Sequence, residues 1–356
     1  MALNRGEWSE IYAILCMLVC PDLSIANSKL EEIAKDLYEV KKIFINNTEG
    51  IIEYCLQNNE NVQILYENDI SEIISIVELA EHKNKIYNAI KNAPTGEGAF
   101  IIEGMDGLLT KLTKGKNIKA NSFEKEDLEA VVFDKRLGQN KNLKYSIKSS
   151  LGSPATILNS SLQTNFRYFV DGLNDEHINV VNSIETRTKL VDRMRKIFEL
   201  GGKISFDKVI NENFNYNLKM IDSNMPAYLG KVLLDSYSSG SKDLKELFLN
   251  SNQFEDENYA LKKLGDFLEG ISFGFFPSLK WDGVKNVNGG LVLVKQNGNV
   301  VVLDLIYFRN EVLKYLINET KLDSPSSTRY NMLHLQRDPD TNRIYFTLNL
   351  QIRYKN

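Results

Sequence analysis

Residues 126–170 constrain the fold of this 356-residue chain more than any other stretch. DLEAVVF (127–133) and LKYSIKS (143–149) alternate apolar and polar side chains with the period of two expected of a half-buried strand. Between them, LGQNKN (137–142) is a cluster of turn formers. The pattern predicts a β-hairpin. After the Gly152-Ser153-Pro154 break, residues 155–160 read as the start of a helix, and NFRYFV (165–170) predicts a third strand.

The hairpin can be tested for chemistry through its register. If Phe133 pairs with Lys144, Leu128 faces Ser149, Asp127 faces Ser150 and Glu129 faces Lys148. Alternation then puts Asp127, Glu129, Ser146 and Lys148 on one face. Asp134 falls at the turn end, more than about 10 Å from Lys148 at a strand rise of about 3.3 Å per residue, so Asp127 is preferred to it. An acid at the start of one strand and a lysine on the same face of the next suit phosphodiester hydrolysis. In that chemistry carboxylates hold Mg²⁺, and an ammonium group lies near the attacking water. The PD-(D/E)xK nucleases use this arrangement, with a further acid two residues before the lysine. Here that position is Ser146, which carries no negative charge.

A second carboxylate must therefore come from elsewhere. Arg5-Gly6-Glu7-Trp8-Ser9-Glu10 resembles the basic-Gly-x-x-x-Glu opening of several nucleases of that superfamily, in which a helix glutamate joins the metal site. Glu10 is the choice, and Glu7 and Glu129 are the alternatives. The bland alternative is an acidic first turn favoured by the helix dipole.

Elsewhere the periodicity predicts a first helix carrying Trp8, Ile11, Tyr12, Leu15, Leu18 and Val19 on one stripe and ending at Pro21-Asp22. Residues 28–40 read as helical or mixed, and 41–56 and 62–66 contain β-prone runs. Residues 69–92 read as one or two helices stopped by Asn92-Ala93-Pro94-Thr95-Gly96, and 99–112 are ambiguous. Residues 173–265 read as mostly helical. GLVLVKQNGNVVVLDLIYF predicts a hairpin turning at Asn297-Gly298. A helix is expected at 310–318, a polar loop at 323–329 and a last strand over 343–354. The fold class is thus α/β (α+β): a mixed sheet flanked by helices, with a helical middle insertion. The expected domains are 1–172, with the first helix and the catalytic hairpin; 173–280, a helical insertion or subdomain; and 281–356, with C-terminal strands completing the core and contacting DNA.

Composition is ordinary for a globular chain, at 43% hydrophobic and 25% charged residues. The longest apolar run, IYAILCMLVC (11–20), is too short to span a bilayer and lacks a basic leader, so a cytoplasmic location is expected. Three cysteines provide no disulfide framework, and Cys16 and Cys20 read as reduced core residues. His82, His177 and His334 are dispersed, with no partners at metal-ligand spacing. Net charge is −4, but residues 135–170 hold six Lys or Arg and no acid. Such a run can track a phosphate backbone or simply be a solvated surface.

Three separated blocks carry a family resemblance: RGEWSEIY (5–12), DLEAVVFD…LKYSIKSSLGSPATILNSSLQTNFRYFV (127–170) and YLINETKLDSPSSTR…IYFTLNLQIRY (315–354). They resemble the HpaII restriction endonuclease family, and SIKS belongs to that family's own string. The resemblance implies Mg²⁺-dependent cleavage of double-stranded DNA at a short GC-containing site, with Asp127 and Lys148 catalytic. It also implies a cognate DNA methyltransferase as genetic partner and no membrane association. A dimer, a monomer cutting the strands in turn and half of a heteromer all remain open.

Polar groups that suit DNA contacts are Asn159, Gln163, Thr164 and Asn165 after the hairpin, and Arg329 in Ser326-Ser327-Thr328-Arg329. On the last strand, Asn349, Gln351 and Arg353 alternate with Leu348, Leu350 and Ile352. The competing functions are a structure-selective nuclease, a cleavage-deficient DNA-binding subunit (suggested by Ser146) and a helical interaction protein with no DNA role.

Overall fold

The computed structural model describes residues 2–47, 49–58, 60–94, 98–114 and 124–355, with only the backbone described at 47 and 70. The Thr95-Gly96 part of the expected helix stop lies outside the described residues. The chain forms two compact units, Met1–Ala155 with Lys285–Tyr315 and Thr156–Val284 with Leu316–Lys355. No helix among the described residues is long and apolar enough to cross a membrane.

In the first unit, ten strands among the described residues form one sheet, in the order 32–34, 25–26, 300–304, 290–294, 139–149, 128–134, 38–47, 50–57, 61–66, 69–75. Pairing is antiparallel except at 25–26 with 300–304 and at 290–294 with 139–149, so the sheet is mixed. With the flanking helices this is the expected α+β class. Residues 28–40 are not helical. Leu30 has φ +60°, a left-handed backbone that interrupts a helix, and strands follow at Glu32–Ala34 and Tyr38–Asn47. Asp69–Ser75 is a strand, and the helix begins only at Ile76, where the Ser75 hydroxyl accepts the Glu78 N–H. The ambiguous stretch contains the short helix Asp106–Thr113.

The first helix, Arg5–Val19, opens with a capping box. Asn4 Oδ1 accepts the Glu7 N–H at 3.0 Å, and Glu7 Oε2 accepts the Asn4 N–H at 2.8 Å. Its apolar residues are buried nearly all round, because one side packs on strand 139–149 and another on helix Ile76–Asn92. Trp8, Ile11 and Leu15 share their core with Leu128, Ala130, Val132, Tyr145 and Ile147 of the hairpin.

The hairpin strands are Leu128–Asp134 and Gln139–Ser149. Leu128 pairs with Tyr145, Glu129 with Lys144 and Phe133 with Asn140, which corrects the expected pairing of Phe133 with Lys144. The chain reverses at 135–138, where Gly138 (φ +65°) donates its N–H to the Asp134 carbonyl at 2.8 Å. Most of LGQNKN is therefore strand rather than turn. The slip is four residues, an even number, so every side chain keeps its face. Asp127, Glu129, Ser146 and Lys148 still lie together, but Asp127 now meets Ser146 instead of Ser150.

Asp134 is fully buried at the turn end. It accepts the N–H groups of Arg136 and Leu137 (3.0 and 3.2 Å) and the Tyr307 hydroxyl (2.8 Å), with Lys141 Nζ 3.5 Å away. Burial pushes its carboxyl up, but these donors outweigh burial and hold it below the usual carboxylate range.

In the second unit, strands 203–209, 165–171, 344–349 and 336–337 form one sheet, and 320–322, 352–354 and 156–158 form another. Helices cover the first of these sheets, with Tyr168 stacked on Phe346 at 5.3 Å and Phe166 edge-on to Phe214. The largely helical stretch 173–280 also contains the strand Lys203–Val209. Residues 155–160 do not start a helix. Thr156–Leu158, with a β-branched Thr-Ile pair, is a strand. The expected last strand is two strands, Ile344–Asn349 and Ile352–Tyr354, paired in different sheets.

Asp134→Ala would orphan several buried donors and strand Lys141. It is expected to lower stability by about 2–4 kcal/mol, seen as a lower urea midpoint with an unchanged slope. Because its folded pKa is depressed, this contribution is fully present above the unfolded carboxylate's pKa and lost as pH falls through the folded value. The gap between wild type and Asp134→Ala should therefore close in acid. A pH-independent gap would assign the effect to packing.

Candidate active site

Asp127 stands one residue before its strand, its N–H bonded to the Tyr145 carbonyl at 2.9 Å. That bond fixes the backbone where the carboxylate can reach the neighbouring strand. Asp127 Oδ2 accepts the Ser146 hydroxyl at 3.0 Å and the Ile147 N–H at 2.5 Å. Lys148 Nζ donates to Ser146 Oγ at 2.8 Å and to the Ile147 carbonyl at 2.9 Å, and lies 3.6 Å from Asp127 Oδ2. Ser146 is buried, whereas the Asp127 and Lys148 side chains keep about a quarter of their surface, 24% and 25%. A continuous chain results, Lys148 to Ser146 to Asp127, in which the serine hydroxyl both accepts and donates. Asp127 Oδ1 carries none of these bonds.

A cleft of about 200 Å³ adjoins Asp127, lined among others by Glu124, Glu126, Glu129 and Lys144. Lys144 Nζ is bonded to Glu126 Oε1 at 2.5 Å, and Glu126 is itself buried. Desolvation and the nearby Lys148 charge push the Lys125 ammonium down to about 7, against the pull of Asp127. Sequence reading passed over Lys125 and the Glu126–Lys144 pair, because EKED (124–127) looks like an ordinary solvated charge run. The period-two placement of Lys144 beside Ser146 and Lys148 was the available signal.

Glu10 is part-buried on the first helix. That helix shares a core with Leu128, Tyr145 and Ile147, whose side chains alternate away from Asp127, Ser146 and Lys148. Glu7 is engaged in the capping box, and Glu129 lines the cleft with Asp127. Among the described residues no three His, Cys, Asp or Glu side chains converge as a metal-binding group. The donors at hand are hard oxygens with one open carboxylate edge. That set fits a magnesium-like ion, which keeps several waters and takes one or two protein carboxylates.

The residues expected to meet DNA belong to the second unit. Asn159 and Arg329 are exposed, and Gln163 is part-buried in the turn Leu162–Thr164. Arg329 stacks over the Tyr330 ring at 5.5 Å. Asn349 is fully buried, with Nδ2 bonded to Asn165 Oδ1 at 2.7 Å and to the Ser161 carbonyl at 2.6 Å. The strand breaks at Leu350-Gln351, and both Asn165 and Gln351 are buried. Arg353 Nε lies 2.7 Å from Asp323 Oδ2. The expected open Asn/Gln/Arg stripe is therefore not a solvent face.

Nor are the six cations of 135–170 a bare track. Lys135 pairs with Asp22, Lys141 with Asp134, Lys144 with Glu126, Lys148 with Asp127, and Arg167 with Asp207 and Asp338. Arg136 stacks over Tyr307 at 4.8 Å.

Comparison with known proteins decides the family. Residues 4–354 match the family described as HpaII restriction endonuclease. The chain is 34% identical to the type II restriction enzyme HpaII of Haemophilus parainfluenzae over 361 aligned residues, covering 99% of this chain and 98% of that enzyme. This chain belongs to the HpaII restriction endonuclease family. No solved structure matches it. As a member of the HpaII family it is a site-specific deoxyribonuclease, and DNA is its substrate. Type II restriction enzymes generally require a divalent metal, which agrees with the hard-oxygen donors around Asp127.

Lys148→Ala is expected to slow cleavage by roughly 10²- to 10⁴-fold, the usual span for a group handling a proton or charge at the reacting centre. Ser146→Ala is expected to slow it about 10- to 100-fold, as when an orienting partner is lost. Single-turnover cleavage of a mapped plasmid site measures both, with metal-free DNA binding as the control. Full-rate Ser146→Ala would remove the serine from the chain of contacts.

Proposed function

We propose that this HpaII-family enzyme hydrolyses duplex DNA with Mg²⁺ at a short GC-containing site, through Asp127 and Lys148. The observation that carries the reading is the Lys148–Ser146–Asp127 chain on one open strand face, with Oδ1 left for an ion. Mg²⁺, when bound, supplies Lewis acidity and lowers the pKa of a coordinated water. Asp127 holds it, with Glu10 as the second carboxylate. Glu129 is the alternative, favoured by its place in the Asp127 cleft. Lys148 orients the attacking water and offsets phosphate charge, and Ser146 fixes the ammonium for that task.

Asn159, Gln163 and Arg329 are the proposed DNA contacts on accessible surface. Asn165, Gln351 and Arg353 would support that surface from beneath, or reach DNA only by leaving their present surroundings. A cognate methyltransferase protecting the same site and a cytoplasmic location complete the reading. Digestion of a sequenced plasmid with Mg²⁺ should give ends at one fixed short sequence. Cleavage confined to branched DNA would favour a structure-selective nuclease. Specific binding without cleavage at any Mg²⁺ concentration would favour a DNA-binding subunit.

Two further outcomes are expected. Glu10→Gln should raise the Mg²⁺ concentration needed for half-maximal cleavage at least about tenfold, with partial rescue by Mn²⁺, since a Mg²⁺ site uses only one or two carboxylates. The same shift in Glu129→Gln, with Glu10→Gln normal, would move the ligand to the hairpin. Arg329→Ala should cost about 1–3 kcal/mol of discrimination between cognate and random duplexes. Equal losses on both, with a flatter salt dependence, would make Arg329 a phosphate contact.

A further inference from the structure

The first unit contains a second, larger cavity of about 590 Å³. That lies within the roughly 300–1,000 Å³ range of small-ligand pockets. Its walls are the first helix (Cys16) with the exposed Cys20 just after it, the helix Ile76–Asn92 (Lys83, Tyr87) and the turn at Asn297-Gly298. None of the residues placed in catalysis lines it.

Its charge is unevenly satisfied. Two carboxylates line it: Asp22 pairs with Lys135 at 2.8 Å, and Glu32 accepts the neutral Ser24 hydroxyl and keeps its charge, one against three ammonium groups. Three lysines line it as well, Lys35, Lys83 and Lys295. Among the described residues none of the three pairs with a carboxylate, and Lys295 Nζ donates only to the Leu30 carbonyl, at 3.0 Å. Burial pushes the Cys16 thiol up to about 11, against the pull of Lys83, so the sulfur adds no negative charge at neutral pH. The cavity thus has an excess of ammonium groups on a partly apolar wall that includes the Tyr87 ring.

We propose that this cavity binds a phosphate group, carried by a free nucleotide or by a nucleic-acid strand, through Lys35, Lys83 and Lys295. Lysine binds phosphate as a mobile point charge. Three of them around one space match a multiply charged anion better than a single carboxylate. Tyr87 offers a ring on which a base can stack.

Calorimetry without divalent metal, using pyrophosphate, ATP and a 5′-phosphorylated duplex as probes, tests this. Pyrophosphate and ATP should each bind once per chain. The Lys83→Gln/Lys295→Gln variant should weaken both at least about tenfold, and Lys148→Ala should leave both unchanged. Lys35→Gln, at an exposed position, should weaken binding in the same direction and keeps the test open if the double variant does not fold. If the duplex displaces ATP with the same lysine dependence, the phosphate comes from DNA. If it does not, the ligand is a free nucleotide. No saturable binding of any probe, or binding lost in Lys148→Ala and indifferent to the three lysines, would overturn the assignment.

Discussion

Asp127 Oδ2 accepts two bonds from the adjoining strand, the Ile147 N–H and the Ser146 hydroxyl, so the carboxylate cannot turn without breaking both. That constraint sets the rest of the active face. With Oδ2 committed, Oδ1 is the edge these bonds leave open. With the Ser146 proton directed at Asp127, the serine's lone pairs face Lys148, whose ammonium then sits within 3.6 Å of the same carboxylate oxygen. A second acid at position 146 would bring its own charge and would accept from Lys148, but ionised it could not donate to Asp127. The serine gives up charge and gains a bridge between the carboxylate and the ammonium.

The precision of this cluster depends on strands that cannot slide. At the far end of the hairpin Asp134 is buried under two backbone N–H groups, Tyr307 and Lys141. On the apolar face, Leu128, Tyr145 and Ile147 are shared with the first helix in one core. Strand 139–149 is held on its other edge by Gly290–Val294, with Ser146 opposite Leu291 and Lys148 opposite Leu293. A slip of one residue would expose Tyr145 and Ile147 and bury Lys148, which ties the register to the hydrophobic core. Asp134 therefore acts on the proposed site at a distance, by fixing the turn that fixes the register.

This explains how much of the site could be read from sequence. That Asp127, Glu129, Ser146 and Lys148 share a face of the hairpin was legible because it depends only on parity, and an error of four residues left it intact. The partner of Asp127 was not legible, because partners depend on turn length, and LGQNKN gives no sign that Gln139, Asn140 and Asn142 extend the strand. Period-two reading failed at 349–353 for a different reason. It presumes one continuous strand, and the chain changes sheets at Leu350-Gln351, so Asn349 turns inward to a buried amide pair with Asn165. The return of 316–355 to the second unit was likewise illegible, since which sheet a strand joins is decided by contacts far apart in sequence.

The basic stretch 135–170 shows where composition misleads about binding. Read as a list, its six cations are an open track for phosphates. In the folded chain five of them already face carboxylates, and Arg136 lies on Tyr307. A phosphate approaching any of these five must compete with an existing anion, so each contact is an exchange of partners and not a simple gain of charge. Within this stretch the attraction for a phosphate backbone is correspondingly weakened. The DNA contacts proposed above, Asn159, Gln163 and Arg329, lie outside this set of ion pairs.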